Sequence, residues 1–358
     1  MSPPPRLLIV AVSGRALAQS ARRGGYRAVV LDLFADRDTR AVASASRRIG
    51  VPGTLRIDPS RLIGAARRLA PGSGLVYGSG FEGRPRLIQR LSRGRPLYGN
   101  TPETLAAVRD PARFFPLLRR LGLPFPAVRL TRPARPKDWL IKRPASAGGT
   151  GVLPAPMAAA GDGEYYQRLE PGDTLSATFL ANGRRARVLG FNRQWTAPRP
   201  ARPYLYGGAV GGIRLRPRLR REIEDALDAL VLETGLVGLN GLDFLLQGER
   251  WLVLELNPRP TATFELYDAD YPAGLVQWHV RACGGELPAR AAVPRAVRAH
   301  AVVHAIASAD EGSMRFPRWC RDLPMRGTRF APGDPICTVH ASGPDVSGTM
   351  ALLRRRLP

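Results

Sequence analysis

Each of the two apolar runs in GLDFLLQGERWLVLELNPRP, residues 241–260, carries one acid: Asp243 and Glu255. Two apolar runs about a glycine turn make a β-hairpin, in which side chains alternate between faces. A turn at Gly248-Glu249-Arg250 sets Asp243 opposite Glu255, with Asn257, two residues on, sharing that face. Like charges directly opposed destabilise a strand pair, and burying them costs more still. A divalent cation removes the conflict, because Mg2+ (or Mn2+) takes carboxylate and amide oxygens and usually sits with phosphates. Asp243, Glu255 and Asn257 are therefore candidate metal ligands. A turn of another length would stagger the two acids and leave each merely solvated, so the hairpin alone leaves both interpretations open.

A second motif shifts the balance. WLIKRPASAGGTGV, residues 139–152, reads as a strand carrying Lys142 and then a loop with Gly148, Gly149 and Gly151. Glycines let backbone N–H groups close around phosphate oxygens, and a lysine on the preceding strand can neutralise phosphate charge. Most such loops are plain turns, but Lys142 is one of only two lysines in the chain, the other being Lys137. The spacing is not GxxxxGK[ST], which excludes a P-loop. Between the two motifs, YYQRLEPGDTLSATFLANGRRARVLGFNRQW reads as a strand, a PG turn and a long antiparallel hairpin. Its start, Gln167-Arg168-Leu169, offers backbone groups to a flat base.

These residues need elements to hold them. RLLIVAV at 6–12 predicts a buried strand, followed by a helix, a GG stop and a second strand over 28–34; LVYGSG at 75–80 predicts another. Residues 1–105 thus form a small parallel α/β unit. A helix is expected over 111–121 and another over 217–234, where Leu227, Leu230 and Val231 fall at helical spacing. From 286 to 358 the chain becomes strand and loop (RAHAVVHAIA, GDPICTVHA). The SGR after the first strand is not a GxGxxG and does not support a dinucleotide site.

Length and composition set the bounds. At 358 residues two or three domains are expected, and 44% hydrophobic with 23% charged residues describes a chain able to bury a large core. LLIVAV is too short for a signal segment, and no apolar run has the length of a membrane span. Three cysteines without CxxC spacing argue against a zinc site or disulfide scaffold and for a reducing, cytoplasmic compartment. The net charge of +25 comes almost entirely from arginines, which are scattered and not gathered with stacking aromatics. Nucleic acid is accordingly the disfavoured partner, and a pull on anionic substrates the simpler inference. His300 and His304 in HAVVH, RLRPRLRR at 214–221, and Cys283 and Cys337 read as structural or solvated groups.

The order of Lys142 strand, glycine loop, Gln167 segment and LDF…ELNPRP resembles the ATP-grasp superfamily of carboxylate–amine ligases over residues 105–282. The pattern is similar, within it, to bacterial predicted ATP-dependent carboligases, through SGRALAQSARRGGYRAVVLDLFAD, LVYGSGFEGRP and GDPICTVHA. The resemblance implies a mixed α/β and α+β architecture: a parallel pre-grasp domain (1–105), a two-lobed ATP-grasp domain (106–285) and a small β-rich C-terminal domain (286–358). It implies ATP and Mg2+ as cofactors and an acyl-phosphate route from a carboxylate and an amine to an amide. Asp243, Glu255 and Asn257 would hold two Mg2+ ions. Lys142 would contact the α/β-phosphates, the 148–151 loop would cover the γ-phosphate, and Gln167, Arg168 and Leu169 would face adenine. Arg259 would steady the acyl substrate and share catalysis with Lys142.

Two positions depart from the family pattern. RDPAR stands where an earlier lysine is common, making Arg113 the substitute, and Thr174 beside Asp173 stands where a ribose-binding acid is common. Some relatives join glutamate to tyramine or tyrosine in methanofuran synthesis, which suggests glutamate as one substrate. Small-molecule substrates and a homo-oligomer are compatible with this. The rival expectation is an arginine-rich nucleotide- or nucleic-acid-binding protein with an inactive grasp fold, against which the intact Asp/Glu/Asn set counts.

Overall fold

The computed structural model describes residues 5–51 and 54–358. It begins with β1 (Arg6–Val10), α1 (Arg15–Arg23), β2 (Arg27–Asp32), α2 (Arg37–Val42), β3 (Ala45–Arg48), α3 (Pro59–Leu69), β4 (Gly74–Tyr77), α4 (Pro85–Ser92) and β5 (Leu97–Tyr98). The five strands pair in parallel in the order β3-β2-β1-β4-β5. A parallel sheet needs both faces covered, and β1 shows how. Leu7 and Ile9 join one apolar cluster with α1, while Leu8 and Val10 join another with α3 and α4. The continuous apolar runs seen in the sequence are the consequence. In open parallel sheets ligands bind outside the carboxyl ends of the strands, which here are the loops at 11–14, 33–36 and 78–84.

Next come α5 (Pro102–Arg109) and α6 (Pro111–Arg120), then a small antiparallel sheet of β6 (Val128–Arg129), β7 (Trp139–Lys142), β8 (Val152–Pro154) and β9 (Tyr165–Arg168) in the order β6-β9-β7-β8. Only α6 is expected from the sequence. Asp110 ends α5 and caps α6, its carboxylate accepting from the Ala112 N–H, so one polar residue breaks a single run into two helices.

The large sheet follows: β10 (Asp173–Asn182), β11 (Ala186–Thr196), β12 (Tyr206–Val210), then α7 (Pro217–Thr234), β13 (Val237–Gln247) and β14 (Arg250–Asn257). After α8 (Glu265–Asp268) and α9 (Gly274–Cys283) come β15 (Val297–His304), β16 (Ala309–Asp310), β17 (Cys320–Arg321), β18 (Arg329–Phe330), β19 (Pro335–Gly343) and α10 (Val346–Arg356). Eight strands run β14-β13-β10-β11-β12-β15-β19-β17, so the strands after residue 286 continue the sheet of the preceding segment through β12. α7 closes the core side of this sheet with Ile223, Leu227, Leu230 and Val231 against Phe179, Phe191 and Phe244.

A buried amide fastens the parallel unit to this sheet. The Asn100 amide donates to Asn240 Oδ1 (2.8 Å) and the Pro258 carbonyl (2.9 Å), and its oxygen accepts from the Val237 N–H (2.9 Å). The Tyr77 hydroxyl donates to the carbonyls of Asn100 and Pro258. Truncating Asn100 strands several buried polar groups at about 1–3 kcal/mol each. Asn100→Ala is therefore expected to lower stability by about 3 kcal/mol, read as a fall in the urea midpoint at unchanged slope.

Candidate active site

A cavity of about 2460 Å³ lies between the parallel unit, the small sheet and the large sheet. That is well beyond the roughly 300–1,000 Å³ of a single-ligand pocket, so it has room for a nucleotide and further substrates. Lys142, Gly148, Gly149, Gln167, Arg168, Leu169, Asp173, Thr174, Asp243, Glu255, Asn257 and Arg259 all line it.

Asp243 and Glu255 are direct cross-strand partners, and Asn257 shares their face opposite Gly241. The route to that register differs from the expected one. The turn has two residues, Gly248-Glu249, with Gly248 at φ 65° in the left-handed region that glycine takes without strain. Gln247 then pairs with Arg250 and Phe244 with Val253, which on its own would set Asp243 opposite Leu254. A β-bulge at Leu254 inserts one residue and restores the Asp243–Glu255 pair. The carbonyl of this bulged residue lies 3.5 Å from Lys142 Nζ.

The charges on the cavity floor are unbalanced. Desolvation and then the field of Glu255 raise the Asp243 carboxyl above its ordinary range, with a hydrogen bond from Gln194 Nε2 (2.8 Å) opposing. Desolvation works against Glu255 as well, but Arg109 and Lys142 overcome it and hold that carboxyl well below its usual range. Arg109 Nη1 lies 3.4 Å from Glu255 Oε2. Asn257 Nδ2 donates to both acids, 3.0 Å to Asp243 and 3.2 Å to Glu255. The pair thus borrows donors from a neighbouring amide while one of its carboxyls is still driven toward its neutral form. Two carboxylates and an amide oxygen form a hard donor set of the kind Mg2+ takes, and rotating the Asn257 amide would bring its oxygen, now accepting from Arg259, toward the acids. The residues fit a divalent cation.

Lys142, itself buried, reaches Gln167 Oε1 at 3.2 Å, and the Gln167 Nε2 is buried without a partner. Arg168 and Leu169 spend their backbone N–H groups inside the protein, on the Ala127 and Asp138 carbonyls, so these two donors are not free for a base. Gly148 and Gly149 have φ of 60° and 73°, and a Cβ on Gly149 would lie 1.7 Å from the Tyr204 carbonyl oxygen; one on Gly151 would lie 2.2 Å from the Ser146 hydroxyl. The glycines therefore let the loop lie against the 204–206 segment, where the Tyr206 N–H donates to the Gly148 carbonyl. Asp173 and Thr174 are exposed on the cavity wall, with Asp173 3.7 Å from Arg193.

Arg113 is the candidate the structure places elsewhere. It lies on the exposed face of α6, because Phe114, Phe115 and Leu118 take the buried face, and it does not line the cavity. Arg109, at the end of α5, occupies the cavity instead. It donates to Glu255 and to the carbonyls of Pro144 and Ser146 at the root of the glycine loop. Both arginines flank the same Asp110-Pro111 pair, and recognising Asp110 as a cap would have separated them. Gln194 and Glu82 also escape sequence reasoning. Glu82, from the loop after β4, holds the buried Arg259 at 2.5 Å and fixes its own second oxygen on the Gly80 N–H. Only the fold brings residues 82 and 259 together.

Residues 108–263 match the family described as the ATP-grasp domain. No curated protein matches the chain by sequence. Solved structures match nearly all of it. One is the biotin carboxylase–β,γ-ATP complex from Campylobacter jejuni (TM-score 0.75, 14% identity, 98% of this chain and 90% of that one). Another is the biotin carboxylase domain dimer of Hydrogenobacter thermophilus 2-oxoglutarate carboxylase with MgADP, ADP and bicarbonate (0.76, 14%, 99% and 90%). A third is the biotin carboxylase domain of a single-chain bacterial carboxylase (0.74, 17%, 98% and 88%). At these identities the likeness is one of fold. Among the described residues no helix is long and apolar enough to cross a membrane.

A pH dependence follows from the raised Asp243 carboxyl. Without metal its neutral form is favoured, so the fold loses stability as pH rises from the ordinary carboxylate range through the raised value. Cation binding needs the ionised form and should release a proton. MgADP affinity is expected to strengthen with rising pH by up to about tenfold per unit until Asp243 is ionised. Asp243→Asn should melt no lower than wild type in EDTA yet lose the MgADP-induced rise in Tm, as thermal unfolding across pH will show.

Proposed function

We propose that the protein is an ATP-dependent carboxylate–amine ligase that forms a C–N bond through an acyl phosphate. The observation that carries this is the opposed Asp243–Glu255 pair with Asn257, set in one cavity beside Lys142, Arg109 and the glycine loop. Mg2+ held by those three residues would offset charge on the phosphoryl oxygens.

Lys142 and Arg109 are placed to neutralise phosphate charge as the substrate carboxylate oxygen bonds to the γ-phosphorus and the bond to the ADP oxygen breaks. Arg259, held by Glu82, orients the acyl group and stabilises negative charge on its carbonyl oxygen as the amine nitrogen bonds to the acyl carbon. Phosphate then leaves with the C–O bond electrons, and the new amide nitrogen gives up its proton. Proximity and charge stabilisation suffice, which accords with a site of cations and glycines. Glutamate joined to an amine or an amino acid in cofactor biosynthesis is the substrate pair we propose to try first, with the protein acting in the cytoplasm, alone or as a homo-oligomer.

The test is ADP release by purified protein with ATP, Mg2+ and a panel of acids and amines, with amide product identified by mass spectrometry. Amine-dependent ADP release is expected. MgATP binding without turnover on any pair would instead mark a nucleotide-binding protein. On the productive pair, Lys142→Ala and Arg109→Ala should each lower kcat by about 10²–10³-fold, the range for losing one preorganised charge. Arg113→Ala should stay within about twofold, as expected for a solvated surface charge.

A further inference from the structure

The cavity has a second charged wall, at the carboxyl edge of the parallel sheet, that the phosphate chemistry does not use. Asp36 lies there just past β2, 5% exposed, and lines the cavity. Its carboxylate makes no capping bond although it heads α2, and Oδ2 is buried without a partner.

Every neighbouring acid, by contrast, is served. Asp32 accepts from the N–H groups of Gly14, Phe34 and Ala35. Asp38 accepts from those of Asp322 and Leu323. Asp322 takes Arg15, Ser13 and Thr338, and Glu265 takes Arg15. Arg15 spends all three guanidinium nitrogens on Asp322, Glu265 and Gln19 and has nothing left for Asp36. Arg40 turns its Nε to the Ala35 carbonyl, and its exposed side chain lines the cavity without bonding to Asp36. Burial, then Asp322, Asp32 and Asp38, push the Asp36 carboxyl up to about 9 against the pull of Arg15. A buried acid of this kind lacks a cation, and the cavity is where one can arrive.

The complementary charge stands on the same wall. Arg84, after β4, donates from Nη1 to the Ile57 carbonyl at 2.9 Å. In the strand order β3-β2-β1-β4 the loops after β2 and β4 flank the loop after β1, so Asp36 and Arg84 stand on the same edge of the sheet and line the same cavity. Burial, then the nearby Arg56, lower the Arg84 pKa, and Glu82 is already committed to Arg259. Two guanidiniums crowded together, with the nearby Glu82 already paired to Arg259, are the counterpart of an acid without a cation.

We propose that this wall is a zwitterion site, where Asp36 receives the ammonium and Arg84, with Arg56, the carboxylate of an amino-acid substrate. The proposal rests on the ligase reading for its chemistry, but its geometry is separate from the metal and phosphate residues.

The experiment uses the full chain with MgADP or MgATP. Probes are the twenty free amino acids, each compared with its decarboxylated amine and its deaminated acid, read by ligand-induced Tm shift and by ADP release. At least one amino acid should raise Tm, and either truncated analogue should bind at least tenfold more weakly. Asp36→Asn should abolish discrimination against the deaminated acid alone, and Arg84→Gln discrimination against the amine alone. Each should raise KM for the intact amino acid at least tenfold with kcat within about threefold. Because burial already favours the neutral form of the Asp36 carboxyl, Asp36→Asn replaces it with a neutral amide of the same shape and should melt no lower than wild type, which separates lost binding from lost folding. Binding without ADP release would sink the ligase reading and leave this site standing. Turnover that ignores the ammonium, or an Asp36→Asn protein that still discriminates, would overturn the site and spare the ligase. No Tm shift from any amino acid in the presence of MgADP would also overturn it.

Discussion

Two carboxylates face each other on the cavity floor, and much of the surrounding structure serves to make that tolerable. The first device is the bulge at Leu254. Trp251 and Val253 point into the apolar core with Phe244, so regular alternation would send Glu255 there too. One inserted residue reverses the parity: Leu256 enters the core, while Glu255 and Asn257 turn to the cavity beside Asp243. Burying an unpaired carboxylate among Phe191, Phe244 and Trp251 would be far more costly than an irregular ladder. The bulge thus converts a forbidden core acid into a cavity acid and, in the same stroke, brings the Leu254 carbonyl to Lys142.

The second device is to spread the compensating cations and amide donors over separate elements. Arg109 comes from the end of α5, Lys142 from the small sheet, Gln194 from β11 and Asn257 from the hairpin itself. Since Arg109 also holds the carbonyls at the root of the glycine loop, the loop and the acid pair share one cation. A change in charge on the floor is therefore felt by the loop above it. The arrangement ties the acid pair and the glycine loop together through the electrostatics of a single guanidinium.

How much of this could be read from the chain depends on the range of the interaction. Alternation and one glycine turn are local, and they place Asp243 opposite Glu255. The turn itself is one residue shorter than expected, and the pair survives only because Leu254 bulges, which nothing in LVLEL announces. The Lys142 strand and its glycines are likewise local and appear as expected. Arg113 and Arg109 illustrate the limit: both sit in one short basic segment, and the choice between them turns on where Asp110 caps a helix. Glu82, Gln194 and Asp36 fall inside recognisable stretches of sequence yet draw no assignment there, because their roles come from partners scores of residues away or, for Asp36, from having none.

The C-terminal segment shows the same dependence on long range. Its strands extend the large sheet, and its short stretch at 320–323 crosses back to the first strands of the chain, where Asp322 grips Arg15 and its backbone N–H is taken by Asp38. Asp322 holds a left-handed backbone, φ 54°, that a non-glycine residue adopts only when its surroundings fix it. Thr338 on β19 supplies part of that fixing. The end of the chain therefore walls in the carboxyl edge of the parallel sheet and crowds acids around Arg15. That crowding exhausts the buried Arg15 guanidinium and leaves Asp36 alone with the cavity, so the charge pattern on this wall is set by how the chain's two ends meet.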